Sequence, residues 1–361
     1  MKLSRRRFVL SGLSAALAPA PALAGSQPLW PGARYTAEQR QRAIERGLHY
    51  IYAITKVPRH FADYGPDFLW CFFSLADTAT DPWLKANAMR MGRERARLWR
   101  RQNDTVPQHA TADDIADLVF GCQAADALGI EGLTMRPLLE RAAAKFGPVE
   151  FLKFDPAEGR IPRDISDRAC HNCRRPTLLT PYELLLDALI TTWSGEHFGV
   201  RLGADFADVA ALIPTLRPYR GADDGSNKNF IDIAYCVTHI VYTLNDYGKY
   251  RLHPKWLPEE FEFLKANLDY VLAANDPETV GEFLDTLKSF GLTRNDPLIR
   301  KGMSFVLSRQ HRDGSWGDID KTDPDPYTPY HSTWTAINGL MEYSFAEQRV
   351  SFPKALSRAT G

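Results

Sequence analysis

Apolar residues recur at helical spacing along almost the whole chain, and short loops rich in Pro, Gly and Asp separate the runs. Charged, amphipathic runs that suit helices with one exposed face occupy 36–54, 82–101, 134–146, 204–213, 258–274 and 296–309. More apolar runs that suit buried helices occupy 67–78, 114–128, 181–194, 231–246, 278–290 and 329–344. Strand-like alternation is scarce. The pattern predicts an all-α fold, an (α/α)6 toroid of six hairpins with one outer and one inner helix each.

A polar residue followed four positions later by Thr or Ser marks four of the inner runs. The leading residues of these pairs are separated by steps of 52, 46 and 46 residues, and they are Asp187, His239, Asp285 and His331. Such steps are typical of a helical-pair repeat. An open α-solenoid uses the same hairpins without closing, but the apolar inner helices favour a closed ring. No linker interrupts the pattern, so residues 25–361 are predicted to form one domain.

The last hairpin carries the most specific motif, Gln310-His-Arg-Asp-Gly-Ser-Trp-Gly317, followed by an inner run with Tyr330-His331 near its start. Asp313-Gly314 is a strong turn signal, because glycine accepts a backbone with positive φ. This segment resembles the hairpin unit of the terpenoid cyclase and protein prenyltransferase β-subunit superfamily, which builds α/α toroids. The resemblance implies the same fold and, from the prenyltransferases, a zinc ligand at His331.

Two features of that superfamily are missing from the chain. The prenyltransferases take two further zinc ligands from an Asp-x-Cys pair, and the preceding inner run here reads Gly281-Glu-Phe-Leu-Asp285 without a cysteine. The acidic D-x-D-D motif of the cyclases has no clean match either. Only His331 is therefore carried over, and the resemblance implies the fold more than it implies terpenoid chemistry.

The four residues in register form the candidate site. In a closed ring the inner helices all start at one rim, so side chains near those starts can converge on one axial pocket. Imidazole and carboxylate groups are ligands for Zn²⁺ and for other transition metals. The sequence predicts a divalent metal such as Zn²⁺ held by His239, Asp285 and His331. The predicted catalytic residues are His331, His239 and Asp187.

The cysteines add further candidate ligands. Cys236 lies three residues before His239 on the same predicted helix and is the reserve ligand of the axial site. Cys170, His171 and Cys173 lie in the longest outer-to-inner loop, where they are predicted to form a metal half-site or a lid over the axial site. A disulfide among these cysteines is an open alternative, since an oxidising compartment would permit one.

Residues 1–24 are predicted to be an export signal. Ser4-Arg5-Arg6-Arg7-Phe8 resembles the twin-arginine motif, and Ala22-Leu23-Ala24 is an A-x-A cleavage site after a modest apolar stretch. The twin-arginine translocase would be a transient partner, and the mature protein would be periplasmic or secreted. The apolar stretch is too weak to remain as an anchor, so stable membrane insertion is not expected.

The charge of the mature chain excludes nucleic acid as a partner. The signal carries Lys2, Arg5, Arg6 and Arg7, so 40 basic residues remain against 44 acidic ones and no basic patch is present. The expected occupant of the central cavity is a small molecule, a glycan or a peptide.

Three functions remain open from the sequence: an exported metal-dependent enzyme, a periplasmic polysaccharide lyase or glycosidase, and a non-catalytic binding or scaffold toroid. Metal content would distinguish the first. A pair of carboxylates roughly 5–10 Å apart would indicate glycan chemistry. A filled cavity without convergent polar groups would indicate a scaffold.

We expect export to depend on Arg5 and Arg6, because the twin-arginine machinery recognises this pair. The double substitution R5K/R6K should leave the precursor in the cytoplasm, as measured by cell fractionation and by the loss of signal cleavage. A variant that still reaches the periplasm through this machinery would refute the signal assignment.

Overall fold

The computed structural model describes residues 35–132, 134–163, 165–167, 177–317 and 325–360. Within these ranges the chain forms fourteen α-helices: α1 (Ala37–Ile54), α2 (Pro58–Thr78), α3 (Pro82–Gln102), α4 (Ala112–Ala127), α5 (Met135–Ala143), α6 (Pro148–Leu152), α7 (Pro181–Phe198), α8 (Phe206–Ala210), α9 (Phe230–Leu244), α10 (Pro258–Ala273), α11 (Pro277–Ser289), α12 (Pro297–Ser308), α13 (Tyr327–Leu340) and α14 (Pro353–Ala359). Two short strands, β1 (Ile165–Asp167) and β2 (Thr177–Leu179), pair antiparallel. Short 3-10 helices occupy Pro156–Glu158, Ile213–Leu216, Asp223–Gly225 and Pro254–Trp256.

The all-α prediction is confirmed, and each of the twelve predicted runs contains a helix. Most bounds agree within a few residues, because Pro, Asp and Gly limit the helices at the sequence level. The predicted outer helix 204–213 is only the short α8 followed by a 3-10 turn. Helices α6 and α14 and the two strands were not predicted from the periodicity.

Local capping explains where several helices begin. The Thr36 side chain accepts a hydrogen bond from the backbone N–H of Gln39, whose own side chain reaches back to the cap. Thr180 makes the same capping box at the start of α7. Pro82 and Pro277 occupy the first positions of α3 and α11, where a missing N–H leaves no hydrogen bond unmade.

Helix α2 starts earlier than predicted and is kinked. The sequence predicts a start at residue 67, but the helix begins at Pro58 and continues across Tyr64, whose φ of −128° is not helical. Pro66 accounts for the kink, because proline removes a backbone donor and clashes with the preceding turn. At the kink, the Tyr64 hydroxyl donates to the Asp325 carboxylate at 2.8 Å.

The helices differ in how many of their sides are buried. α1, α3 and α10 bury one stripe, and charged side chains cover the opposite side. α4, α7, α9 and α11 are buried over most of their residues. None of the helices in the described ranges is long and apolar enough to cross a bilayer.

Inner helices contact one another in chain order: α2 with α4, α4 with α7, α7 with α9, α9 with α11, and α11 with α13. Helix α13 in turn contacts both α1 and α2, so the sixth hairpin touches the first. An open solenoid lacks this last contact. The toroid itself stays a prediction, and this contact is one that it requires.

The turn 310–317 joins the sixth hairpin to the first. Gln310 Nε2 donates to the Ala43 carbonyl on α1 at 2.8 Å, and the Arg46 guanidinium donates to the carbonyls of His311 and Arg312. Trp316 is fully buried, and its indole N–H donates to the Val306 carbonyl at 2.7 Å. The motif Gln310–Gly317 is therefore a structural clamp between α12 and α1.

Substituting Gly314 with Ala should destabilise the protein strongly. Gly314 has a φ of +99°, and an added Cβ would lie 2.6 Å from the Arg46 carbonyl oxygen. We expect G314A to lose more than about 2 kcal/mol in the free energy of unfolding, measured by chemical denaturation. The matched control is G159A, where φ is +68° and nothing lies within 4 Å of the added Cβ. If G314A and G159A lose the same free energy of unfolding, the close contact between Gly314 and α1 does not stabilise the protein.

Candidate functional site

All six inner helices contribute side chains to one cavity of about 760 Å³, part of which is open to solvent. The acidic and imidazole groups that line it are Asp67 on α2, His239 on α9, Glu282 and Asp285 on α11, and His331 on α13. Its aromatic walls are formed by Trp70, Phe120, Tyr242, Tyr247, Tyr327 and Trp334. The cavity thus combines aromatic surfaces with convergent acidic groups.

Three of the register residues meet in this cavity. His239, Asp285 and His331 lie 46 residues apart on α9, α11 and α13, which are consecutive inner helices in the order of contacts. All three line the cavity and are almost fully buried. Equal steps through equivalent hairpins give the three side chains equivalent positions on their helices.

Glu278 holds His331 in place. Its Oε1 lies 2.9 Å from His331 Nδ1 and accepts a hydrogen bond from the Tyr235 hydroxyl at 2.6 Å, and its Oε2 accepts from the Ser332 hydroxyl at 2.8 Å. Burial acts to lower the pKa of His331, but the Glu278 carboxylate outweighs it and the pKa is raised. Burial likewise acts to raise the pKa of Glu278, yet His331 and these donors hold it below its ordinary value. The two residues therefore form an ion pair with a fixed imidazole orientation.

His239 has the opposite protonation behaviour. Burial lowers its pKa to about 3, so the imidazole is neutral near pH 7. Its Nδ1 lies 2.8 Å from the Tyr235 carbonyl oxygen, which can only accept a hydrogen bond. Nδ1 therefore carries the proton, and the lone pair of the ring is on Nε2.

Glu282 is a buried carboxyl group that retains its proton near neutral pH. Burial raises its pKa to about 8, and this effect outweighs the opposing influence of His331. The Thr238 hydroxyl donates to Glu282 Oε2 at 2.6 Å, which fixes the side chain at the cavity wall. A neutral carboxylic acid in an apolar site can donate a proton at a pH where an ordinary Glu is ionised.

Asp285 lies one helical turn beyond Glu282 on α11. Burial raises its pKa to about 6, opposed by the polar groups of Tyr343, Tyr242 and Asn338 and by the charge of Lys288. Its Oδ1 has no partner at hydrogen-bonding geometry among the residues that the structure describes. Asp285 is thus ionised near pH 7, with one oxygen that makes no hydrogen bond.

The other predicted site residues do not join this group. Asp187 is exposed on α7 and does not line the cavity. Cys236 is buried in the hydrophobic core on a different side of α9 from His239, near Glu260 of α10, and burial raises the pKa of its thiol. Cys236 therefore does not line the cavity that His239 lines, although the two positions are about one helical turn apart on α9.

The predicted metal site has only partial geometric support. No group of three His, Cys, Asp or Glu side chains in the described ranges is arranged to hold a metal ion. Cys170, His171 and Cys173 lie outside the residues that the structure describes.

Sequence reasoning missed Glu278 and Glu282 as site residues. Both lie on the predicted inner helix of Asp285, seven and three residues before it, and therefore on the same face. The signal that could have identified them is this placement of three carboxyl groups along one helical face. Asp67 was missed as well, because Cys71 and not Thr or Ser follows it four positions later, so it does not match the repeat pattern.

No protein-family model, curated protein or solved structure matches this chain. The likeness of Gln310–Gly317 and Tyr330-His331 to the cyclase and prenyltransferase hairpin therefore remains a resemblance of motifs. The geometry of the cavity is the basis for any functional argument.

The buried Glu282 should make the protein less stable as pH rises. The folded state keeps this proton up to a pH of about 8, whereas an unfolded Glu releases it near its ordinary pKa of 4.5. Between these values the folded state binds more protons, so stability falls with increasing pH by at most roughly 1.4 kcal/mol per unit. E282Q should remove this loss. The melting temperature of the variant, measured relative to that of the wild type, should therefore increase from pH 5 to pH 8.

The matched control for this measurement is E259Q, the same substitution at an exposed position on α10. The melting temperature of E259Q should differ from that of the wild type by the same amount at every pH. If the melting temperatures of E282Q and the wild type differ by a constant amount from pH 5 to pH 8, the pKa of Glu282 is not raised in the folded protein.

Proposed function

We propose that the protein is an enzyme that performs general acid–base catalysis in the axial cavity, most closely of the glycosidase class. The observation that carries the proposal is Glu282, a buried carboxyl group at the cavity wall whose raised pKa keeps it protonated near pH 7. Such a group is suited to protonate a departing oxygen. A scaffold has no use for a buried acid in a cavity, because an apolar residue there would be more stable.

Asp67 and His331 complete the proton-handling groups. Both line the cavity with Glu282, and the negative charge of Asp67 helps to raise the pKa of the His331 imidazole. In this proposal Glu282 is the acid, Asp67 is the carboxylate that activates water or attacks the substrate, and His331 balances the charge between them. Glu278 positions His331 and is not among the described residues that line the cavity.

The cavity favours an uncharged or cationic substrate. Among its described lining residues there is no Lys or Arg, while three carboxyl groups are present. An anionic uronate or an isoprenoid diphosphate would meet no Lys or Arg there, and the His331 imidazolium is already paired with Glu278, which disfavours both a uronate lyase and a prenyl-diphosphate enzyme. The aromatic walls suit the apolar faces of a sugar ring, and a glycan is a substrate that an exported enzyme would meet.

Export remains part of the proposal. The twin-arginine-like segment lies in residues 1–34, outside the described ranges. The proposed site of action is the periplasm or the medium, and the translocase is the proposed transient partner. No nucleic-acid partner is proposed, because the charge of the mature chain provides no basic surface.

A metal-assisted reaction is the second candidate function, and one observation favours it. The Nδ1 atoms of His239 and His331 lie 2.8 and 2.9 Å from an acceptor oxygen, on Tyr235 and Glu278 respectively. Metal-binding histidines are commonly oriented in this way by an outer partner. In this alternative His239, His331 and Asp285 would hold a divalent ion such as Zn²⁺, which would act as a Lewis acid.

The acid–base proposal predicts a leaving-group effect in E282Q. With a panel of neutral aryl glycosides, the variant should lose roughly 100- to 10,000-fold in kcat/KM when the leaving group is poor. The loss should be small with a dinitrophenyl leaving group, which departs without protonation. The matched control E259Q should behave as wild type.

Metal chelation separates the two candidate functions. The acid–base enzyme should keep its activity after dialysis against EDTA, and elemental analysis should find no stoichiometric metal. Retained metal in the wild type that is lost in H331A, together with EDTA sensitivity, would favour the metal-assisted alternative. Equal losses of E282Q for good and poor leaving groups would contradict the role of Glu282 as acid.

A further inference from the structure

The wall of the cavity carries two buried acceptor oxygens that make no hydrogen bond in the described part of the chain. Asp285 Oδ1 and Asn338 Oδ1 have no hydrogen-bond partner among the described residues, and Asp285 is only 3 % exposed. Both residues line the cavity. A buried oxygen that makes no hydrogen bond is destabilising, so these two oxygens can accept hydrogen bonds from a ligand, although the side chains of Tyr343, Tyr242 and Asn338 already lie close enough to the Asp285 carboxylate to oppose the rise of its pKa.

The cation nearest to Asp285 in sequence does not donate to these oxygens. Lys288 Nζ donates to the carbonyl oxygens of Gly339 at 2.6 Å and Met341 at 2.7 Å, and a third carbonyl, that of Asn338, lies at 3.5 Å. An ammonium group has three protons, and these carbonyls at the end of α13 account for them. Lys288 thus caps a helix terminus and leaves Asp285 Oδ1 without a hydrogen bond.

Aromatic faces surround the same region. The rings of Tyr242 and Tyr247 stack with centroids 5.6 Å apart, and both residues line the cavity. Tyr247 has a φ of +51°, which is strained for a bulky residue. Asn245 braces this turn, since its side chain accepts from the Gly248 N–H at 3.0 Å and donates to Ser289 at 2.7 Å. The chain therefore holds Tyr247 at the cavity against a backbone preference.

We propose that Asp285, Asn338 and the Tyr242 ring form a subsite for a primary ammonium group of the substrate. A carboxylate oxygen, an amide oxygen and an aromatic face together match a group with a positive charge and several N–H donors. A hydroxyl group has one proton and cannot satisfy both oxygens, and a quaternary ammonium has no N–H to donate. The proposal rests on the proposed function, since it places an amino-bearing sugar in the same cavity, but the binding it predicts requires no turnover.

The test compares three sugars that share one ring: D-glucosamine, D-glucose and D-glucuronate. Binding to the wild-type protein at pH 7 is measured by calorimetry and by tryptophan fluorescence, because Trp70 and Trp334 line the cavity. We expect glucosamine to bind at least about tenfold more tightly than glucose, and glucuronate to bind most weakly. Methylammonium chloride serves as a fourth probe that carries the ammonium group alone.

The variant D285N removes the charge without changing the shape of the side chain. It should bring the affinity for glucosamine to that for glucose, whereas D104N, at an exposed loop position, should leave the preference unchanged. If D285N fails to fold, as judged by circular dichroism, the order of affinities of the four probes for the wild-type protein still tests the ammonium subsite. Equal binding of glucosamine and glucose, or no binding of either amine, overturns the ammonium subsite.

Two outcomes distinguish a failure of this proposal from a failure of the proposed function. If methylammonium binds in a manner that depends on Asp285 but none of the sugars bind, the ammonium subsite stands and the glycosidase assignment fails. If E282Q shows the leaving-group effect but glucosamine and glucose bind equally, the assignment stands and the subsite is wrong. A preference for glucosamine that persists in D285N also contradicts the subsite.

Discussion

The contact between the turn 310–317 and helix α1 is the interaction on which the rest of the structure depends. A helical hairpin leaves apolar surface exposed on both sides, and each neighbour covers only one of them. The hairpins at the two ends of the chain have no sequence neighbour on their outer sides, so they must cover one another. Gln310 and Arg46 make the polar part of this contact, while the side chains of Trp316 and Ile337 both pack against Gly47. Because the cavity is lined by both ends of the chain, from Asp67 to Asn338, it exists only when this contact is made.

Helix α11 shows how a protein can bury several carboxyl groups by treating each differently. Glu278 is ionised and balanced by His331, Glu282 keeps its proton, and Asp285 is ionised beside the polar groups of Tyr242, Tyr343 and Asn338. Their pKa values are separated because burial acts on all three while their partners differ. That separation provides a proton donor and an ionised acceptor on one face of one helix. Such an arrangement is unfavourable for stability and useful for catalysis, which is why we propose the acid–base function for this cavity.

The periodicity of the sequence was sufficient to predict the helices and some of the residues that line the cavity. The 46-residue steps placed His239, Asp285 and His331 in one cavity, because each is at an equivalent position of equivalent hairpins. The 52-residue step from Asp187 is irregular, and that side chain lies outside the cavity. The pairing of His331 with Glu278 joins positions 53 residues apart, and the protonation of Glu282 is set by burial. Neither can be read from spacing, because both depend on which side chains from other helices exclude water.

The motif behind the family resemblance, Gln310–Gly317, stabilises the fold and does not line the cavity. Gln310, Gly314 and Trp316 all serve the contact with α1 or the packing of α12, and none of them lines the cavity. Of the residues behind the resemblance, only His331 reaches the cavity, where it pairs with Glu278 and not with a cysteine-containing ligand set. A turn that closes a ring is constrained by backbone geometry, whatever reaction the ring encloses. Two helical proteins can therefore share this turn and differ in chemistry, and the acid–base groups that we propose here lie mainly on α11, which the shared motif does not include.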